Sequence, residues 1–81
     1  MSSEFEEIRR ITAEVLGVDE NDIRERTLLA EDLGADSLEL FEILTRVEEA
    51  YKIALPREAA GEIRTAGDAA ALLIDTEHRN L

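Results

Sequence analysis

The sequence predicts an all-α fold: a small antiparallel four-helix bundle of three main helices and one short one, with a long loop between the first two. Three observations predict it. The 81 residues suffice for a single domain, 1–81, with one thin core. Aromatic residues make up only 4% of the chain and proline occurs once, a composition that favours helices over a β-sandwich. Apolar residues also recur at helical spacing in three segments, each opening on a capping sequence.

The first helix is expected over residues 3–16. Ser3 and Glu6 match a capping box, and Phe5, Ile8, Ile11, Thr12, Val15 and Leu16 repeat at helical spacing. Gly17 follows as the residue able to take positive φ without a Cβ penalty. From 18 to 35 the periodicity fails. Val18, Ile23, Leu28, Leu29 and Leu33 are scattered among charges and read as anchors of an ordered connection, with a helical turn near 19–23. Gly34 supplies a tight turn before the second helix. That helix is expected over 37–51, capped by Asp36 with Glu39 as its reciprocal partner, and its apolar face joins Leu40, Ile43, Leu44, Val47 and Tyr51. "KIALP" breaks the pattern. A short helix spans 56 or 57 to 62, with Pro56 suited to its first turn. The last helix opens on a Thr65–Asp68 capping box and runs through Ile74, leaving 75–81 as a fraying tail.

Twenty acidic residues against nine basic ones give a net charge of −11. That field repels nucleic acid and anionic membranes and favours partners with basic patches. No cysteine is present, which excludes disulfides, thiolate metal sites and a protein thiol nucleophile. "MSSEFEEIRR" lacks the apolar core of a signal peptide, and no apolar run approaches membrane-spanning length, so a cytoplasmic location is expected.

Enzymatic chemistry has few candidates. A serine nucleophile at Ser37 would need an oriented base, yet His78 stands alone in the tail, Lys52 is the only lysine, and "GADSL" is not a nucleophile elbow. "DENDIR" lacks the glycine and terminal glutamate of a calcium loop, so no metal site is assigned and the acidic clusters read as solvated surface. Ser37 itself allows two readings. It is a plain first-turn residue beside an aspartate cap, or it is an attachment point where backbone N–H groups and the helix dipole favour a phosphate. Local chemistry leaves both open.

The stretch "EDLGADSLE" at 31–39, with Asp36, Ser37 and Leu38 at its centre, resembles the acyl carrier protein family of phosphopantetheine-binding carriers. The likeness extends along the chain through "ITAEVLGV", the loop and second helix up to "KIALP", and "TAGDAAALLI". It implies a monomeric, non-catalytic carrier with 4′-phosphopantetheine joined to Ser37 by a phosphopantetheinyl transferase drawing on coenzyme A. Acyl groups would then ride as thioesters on the arm, delivered to fatty acid or related polyketide and specialised-lipid enzymes. The transferase would supply the activation that Ser37 lacks. The resemblance further implies recognition by the transferase at Asp36. It implies docking of basic partner patches on Glu39, Glu42, Glu48 and Glu49, with Leu38, Leu40, Phe41 and Leu44 as apolar contacts.

Several positions depart from the common fatty-acid pattern: Arg46 within the acidic helix, Arg57 after Pro56, Gly61, the apolar Leu40 and Phe41, and the small residues Ala66 and 69–71. A specialised pathway fits them as well. Two alternatives stand beside this reading. One is a peptidyl or aminoacyl carrier, against which "GADSL" and the acidity weigh. The other is an unmodified acidic helical adaptor.

Overall fold

The computed structural model describes residues 3–79. It contains three α-helices, α1 (Ser3–Leu16), α2 (Ser37–Tyr51) and α3 (Ala66–Arg79), with 3₁₀ helices at Glu20–Asp22 and Arg57–Gly61. No strand forms among the described residues; one isolated antiparallel bridge joins Leu28 and Thr65. The all-α expectation holds. The expected short fourth helix is a 3₁₀ helix, so three α-helices carry the bundle. α1 is its hub, packing against both α2 and α3.

Each helix follows from local sequence. α1 buries Phe5, Ile8, Ile11 and Thr12 along one stripe, while Arg10 pairs with Glu7 and Glu14 on the outer face. It ends at Gly17, φ 69°, where the N–H groups of Gly17 and Val18 both donate to the Ala13 carbonyl. The Ser3–Glu6 capping box does not form. Ser3 already lies inside α1 and donates to Glu4, and the Glu6 carboxylate pairs with Arg9 at 3.4 Å. α3 opens as expected: the Asp68 N–H donates to Thr65 Oγ1 at 3.0 Å, and Asp68 Oδ2 accepts from the N–H groups of Arg64 and Thr65. Those two backbone donors hold the Asp68 carboxyl below its ordinary range.

The tail expectation needs correcting. α3 continues through 75–79, where Asp75 pairs with Arg79 at 3.0 Å and Thr76 and Glu77 are half-buried. Residues 80–81 of the expected tail lie outside the described residues. At this end of α3, partial burial and the nearby Glu4 carboxylate raise the Glu77 pKa above its ordinary 4.5. A raised acid favours the folded state in its protonated form. Stability is therefore gained as pH falls from neutral through the folded pKa toward 4.5 and is lacking above it. Glu77→Gln is expected to raise the thermal midpoint at neutral pH, with the advantage shrinking as the scan moves into mild acid. A constant advantage across that window would refute the coupling.

The 18–35 connection is ordered, as its anchors suggest. Ile23 and Leu29 are fully buried, and Val18 and Leu33 pack against the core edge. Three backbone bonds tie it to the start of α3: Leu29 N–H to the Arg64 carbonyl, Ala66 N–H to that of Thr27, and Gly67 N–H to that of Glu25. The core gathers Ile8, Ile23, Leu29, Ile43, Val47 and Leu73 with the small side chains of Ala66, Ala69 and Ala70. Thr12 is also fully buried, and its Oγ1 has no hydrogen-bond partner among the described residues.

Candidate functional site

The start of α2 is built to stand without help from Ser37. Gly34, φ 75°, turns the chain, and the extended backbone of Asp36 sets the cap. Asp36 Oδ1 accepts from the Glu39 N–H at 2.8 Å, and Glu39 Oε1 accepts from the Asp36 N–H at 3.1 Å, closing the reciprocal box. The Leu40 N–H is taken by the Asp36 carbonyl. Ser37 is the first helical residue, exposed, and its hydroxyl bonds to nothing among the described residues. The N–H groups of Ser37 and Leu38 are likewise unused, as the first turn of a helix leaves them.

No basic side chain hydrogen-bonds Ser37. Lys52 caps the far end of α2, about 22 Å along the helix axis, and His78 sits in the last turn of α3. An alcohol without a base is a weak nucleophile. What the site offers is a free, fixed hydroxyl at the positive end of a helix. The other hydroxyls on described serines and threonines are placed differently. Thr12 is buried, Thr27 and Thr65 accept backbone N–H groups, and Thr76 and Ser3 donate locally. Thr45 is exposed in the middle of α2, away from any helix start.

The surface beside Ser37 is more apolar than its charge suggests. Leu38 is 79% exposed and Phe41, one turn on, 43% exposed. Leu40 is half-buried. Leu44, expected as an apolar contact, is only 5% exposed and forms the floor of a groove rather than a protruding contact. That groove, of about 210 Å³, lies between α2 and the second 3₁₀ helix, with Phe41, Thr45, Glu48, Leu55 and Pro56 on its walls and Arg57 at its rim.

The four glutamates differ in what they are free to do. Glu39 is engaged in the cap, and Glu42 pairs with Arg46 at 3.2 Å, which also reaches Glu14 of α1 at 3.3 Å. Glu48 Oε2 accepts the Leu55 N–H at 2.7 Å and so braces the link after α2. Glu49 is exposed on the side facing α1, near Arg10 and Glu14. Arg57 has no carboxylate partner among the described residues. Sequence reasoning flagged Arg57 by its charge but gave no signal for the groove that Thr45, Leu55 and Pro56 form with it.

Described as the phosphopantetheine attachment site, a family matches residues 6–73. The chain is also 39% identical over 64 residues to an acyl carrier protein of Wolinella succinogenes, covering 79% of this chain and 84% of that relative. The chain belongs to the acyl carrier protein family. As a member it carries 4′-phosphopantetheine as a covalently attached group. The start of α2 suits such a group: an exposed hydroxyl with no bond to lose, two unused N–H groups beside it, and no packed side chain above it. The carboxylates of Asp36 and Glu39 oppose a phosphate there, and their engagement in the cap blunts that opposition. No described helix is long and apolar enough to cross a membrane, and no cluster of acidic, histidine or cysteine side chains among the described residues could hold a metal.

Proposed function

We propose that Ser37 is the attachment point and that the chain is a non-catalytic carrier of acyl intermediates for fatty acid or related biosynthetic enzymes. The observation that supports it above the others is the free hydroxyl of Ser37 beside a cap completed by Asp36 and Glu39. Bound there, the group supplies a terminal thiol for thioester transport, the only thiol on a chain without cysteine. Ser37 holds the phosphodiester, and the N–H groups of Ser37 and Leu38 favour its charge. The transferase must bring the base. Asp36 has one carboxylate oxygen outside the Glu39 bond, which leaves it available for recognition by that enzyme.

Partners dock on the exposed Leu38–Phe41 strip, with Glu39, Glu42 and Glu49 attracting a basic patch and Glu48 acting mainly as a brace. Arg46 interrupts the acidity of this face, as does Arg57, which has no carboxylate partner among the described residues. A matching partner is basic opposite Glu42 and neutral or acidic opposite Arg57. That mixed pattern favours a specialised acyl pathway, of the polyketide or modified-lipid kind, over an enzyme set with uniformly basic patches.

Incubation with coenzyme A and a broad-specificity phosphopantetheinyl transferase, followed by intact-mass measurement, tests the attachment. One prosthetic-group addition is expected on the natural chain and none on Ser37→Ala. That variant should fold normally, because it removes an exposed group that bonds to nothing. A natural chain that gains no mass, or an Ser37→Ala chain that still gains it, would remove the proposal.

A further inference from the structure

Away from α2, a cleft of about 990 Å³ opens between α1, the 18–35 connection and the start of α3, and none of its lining comes from α2. Arg9, Arg24 and Arg26 line it, facing Glu25 and Asp68 as the only acidic side chains. Three arginines lining one cleft are unexpected on a molecule of net charge −11. With acidic residues outnumbering basic ones twenty to nine, carboxylates are abundant for any arginine. Arg9, Arg10, Arg46, Arg64 and Arg79 all take them. Arg24 and Arg26 have neither an ion pair nor a side-chain hydrogen bond among the described residues.

Their backbone is nonetheless held firmly. The Arg24 N–H donates to Thr27 Oγ1 at 2.7 Å, and the Thr27 N–H returns to the Arg24 carbonyl at 3.0 Å. Carbonyls of Glu25 and Thr27 accept the Gly67 and Ala66 N–H groups, so the turn is fastened to α3. Those bonds use up the first N–H groups of α3, which leaves the guanidinium groups as the attracting feature. Arg9 is positioned too, its Nε donating to the Glu20 carbonyl at 2.9 Å. Asp68 is occupied by the Arg64 and Thr65 N–H groups.

The lining selects among anions. It contains no aromatic side chain, so a nucleobase has nothing to stack on. The overall negative charge works against nucleic acid and anionic membrane as extended surfaces. Guanidinium forks match carboxylates in two-pronged pairs, and charges farther than roughly 8 Å are largely screened at physiological salt. We propose that this cleft docks an acidic peptide segment of a partner protein, with its carboxylates seated on Arg24 and Arg26. The carrier would then have two docking surfaces of opposite polarity, the cleft taking none of its lining from α2. The inference is independent of the attachment at Ser37.

The test is an amide ¹H–¹⁵N titration of the full chain with a hexaglutamate peptide at physiological salt. Saturable shifts are expected at residue 9, across 21–26 and at 65–68. Arg24→Gln/Arg26→Gln, both surface changes, should weaken binding at least about tenfold while the rest of the spectrum stays in place. The absence of saturable shifts would overturn the proposal, as would shifts that persist in the double variant. Inorganic phosphate producing the same shifts at the same concentration would also overturn it, since the cleft would then bind small anions rather than a peptide.

Discussion

Ile43→Ala is expected to lose about 2–5 kcal/mol of stability, the range for deleting a fully buried aliphatic side chain. Ile43 is 0% exposed and sits where α2 meets the core. For a chain of this length total stability should be about 4–12 kcal/mol, so this single change removes about a sixth of it at the least. Urea denaturation reads the loss as a lowered midpoint with little change in slope. Leu38→Ala, one of the most exposed positions on the same helix, should stay within about 0.5 kcal/mol of the parent. If the two variants unfold at similar urea concentrations, the division of α2 into a core face and an exposed face is wrong.

Gly67→Ala should destabilise, against what helix propensity alone would say. Alanine within a helix is favoured over glycine by about 1 kcal/mol. Here a Cβ would lie 2.8 Å from the Glu25 carbonyl oxygen, closer than such atoms approach. That oxygen cannot move away freely, because it also accepts the Gly67 N–H at 2.9 Å. Forcing the turn outward should cost about 1–3 kcal/mol, enough to outweigh the propensity gain. Gly61 is the control: nothing lies within 4 Å of a Cβ there and its φ is ordinary. Gly61→Ala is therefore expected to be neutral or stabilising. Thermal midpoints of the two variants moving in the same upward direction would contradict the close approach of the 24–27 turn to α3.

The parts of the fold legible in the sequence are those set by neighbours along the chain. Asp36 with Glu39 and Thr65 with Asp68 mark helix starts because both partners lie within one turn. Gly17 and Gly34 mark positive φ because few other residues accept it. What escaped either carries no mark in the local sequence or depends on packing between distant residues. α2 ends at Tyr51 as expected, but the left-handed conformation that ends it, Lys52 at φ 55°, has no glycine to announce it. Ser3 and Glu6 form no box although their spacing allows one, and α3 outlasts its apolar pattern through pairs in its final turns. At the candidate site, Ser37 stood out through resemblance rather than local physics. The duties of the glutamates were hidden, since Glu48 bonds a backbone group seven residues away. Likewise, nothing local reveals that the turn carrying Arg24 and Arg26 rests on a helix some forty residues further along.

The reciprocal cap at Asp36 and Glu39 has a consequence for a molecule that passes from enzyme to enzyme. Esterifying a hydroxyl that bonds to nothing takes no hydrogen bond from the folded chain. On the attachment proposed at Ser37, a group could be installed, exchanged or cut away with both bonds of the cap left in place.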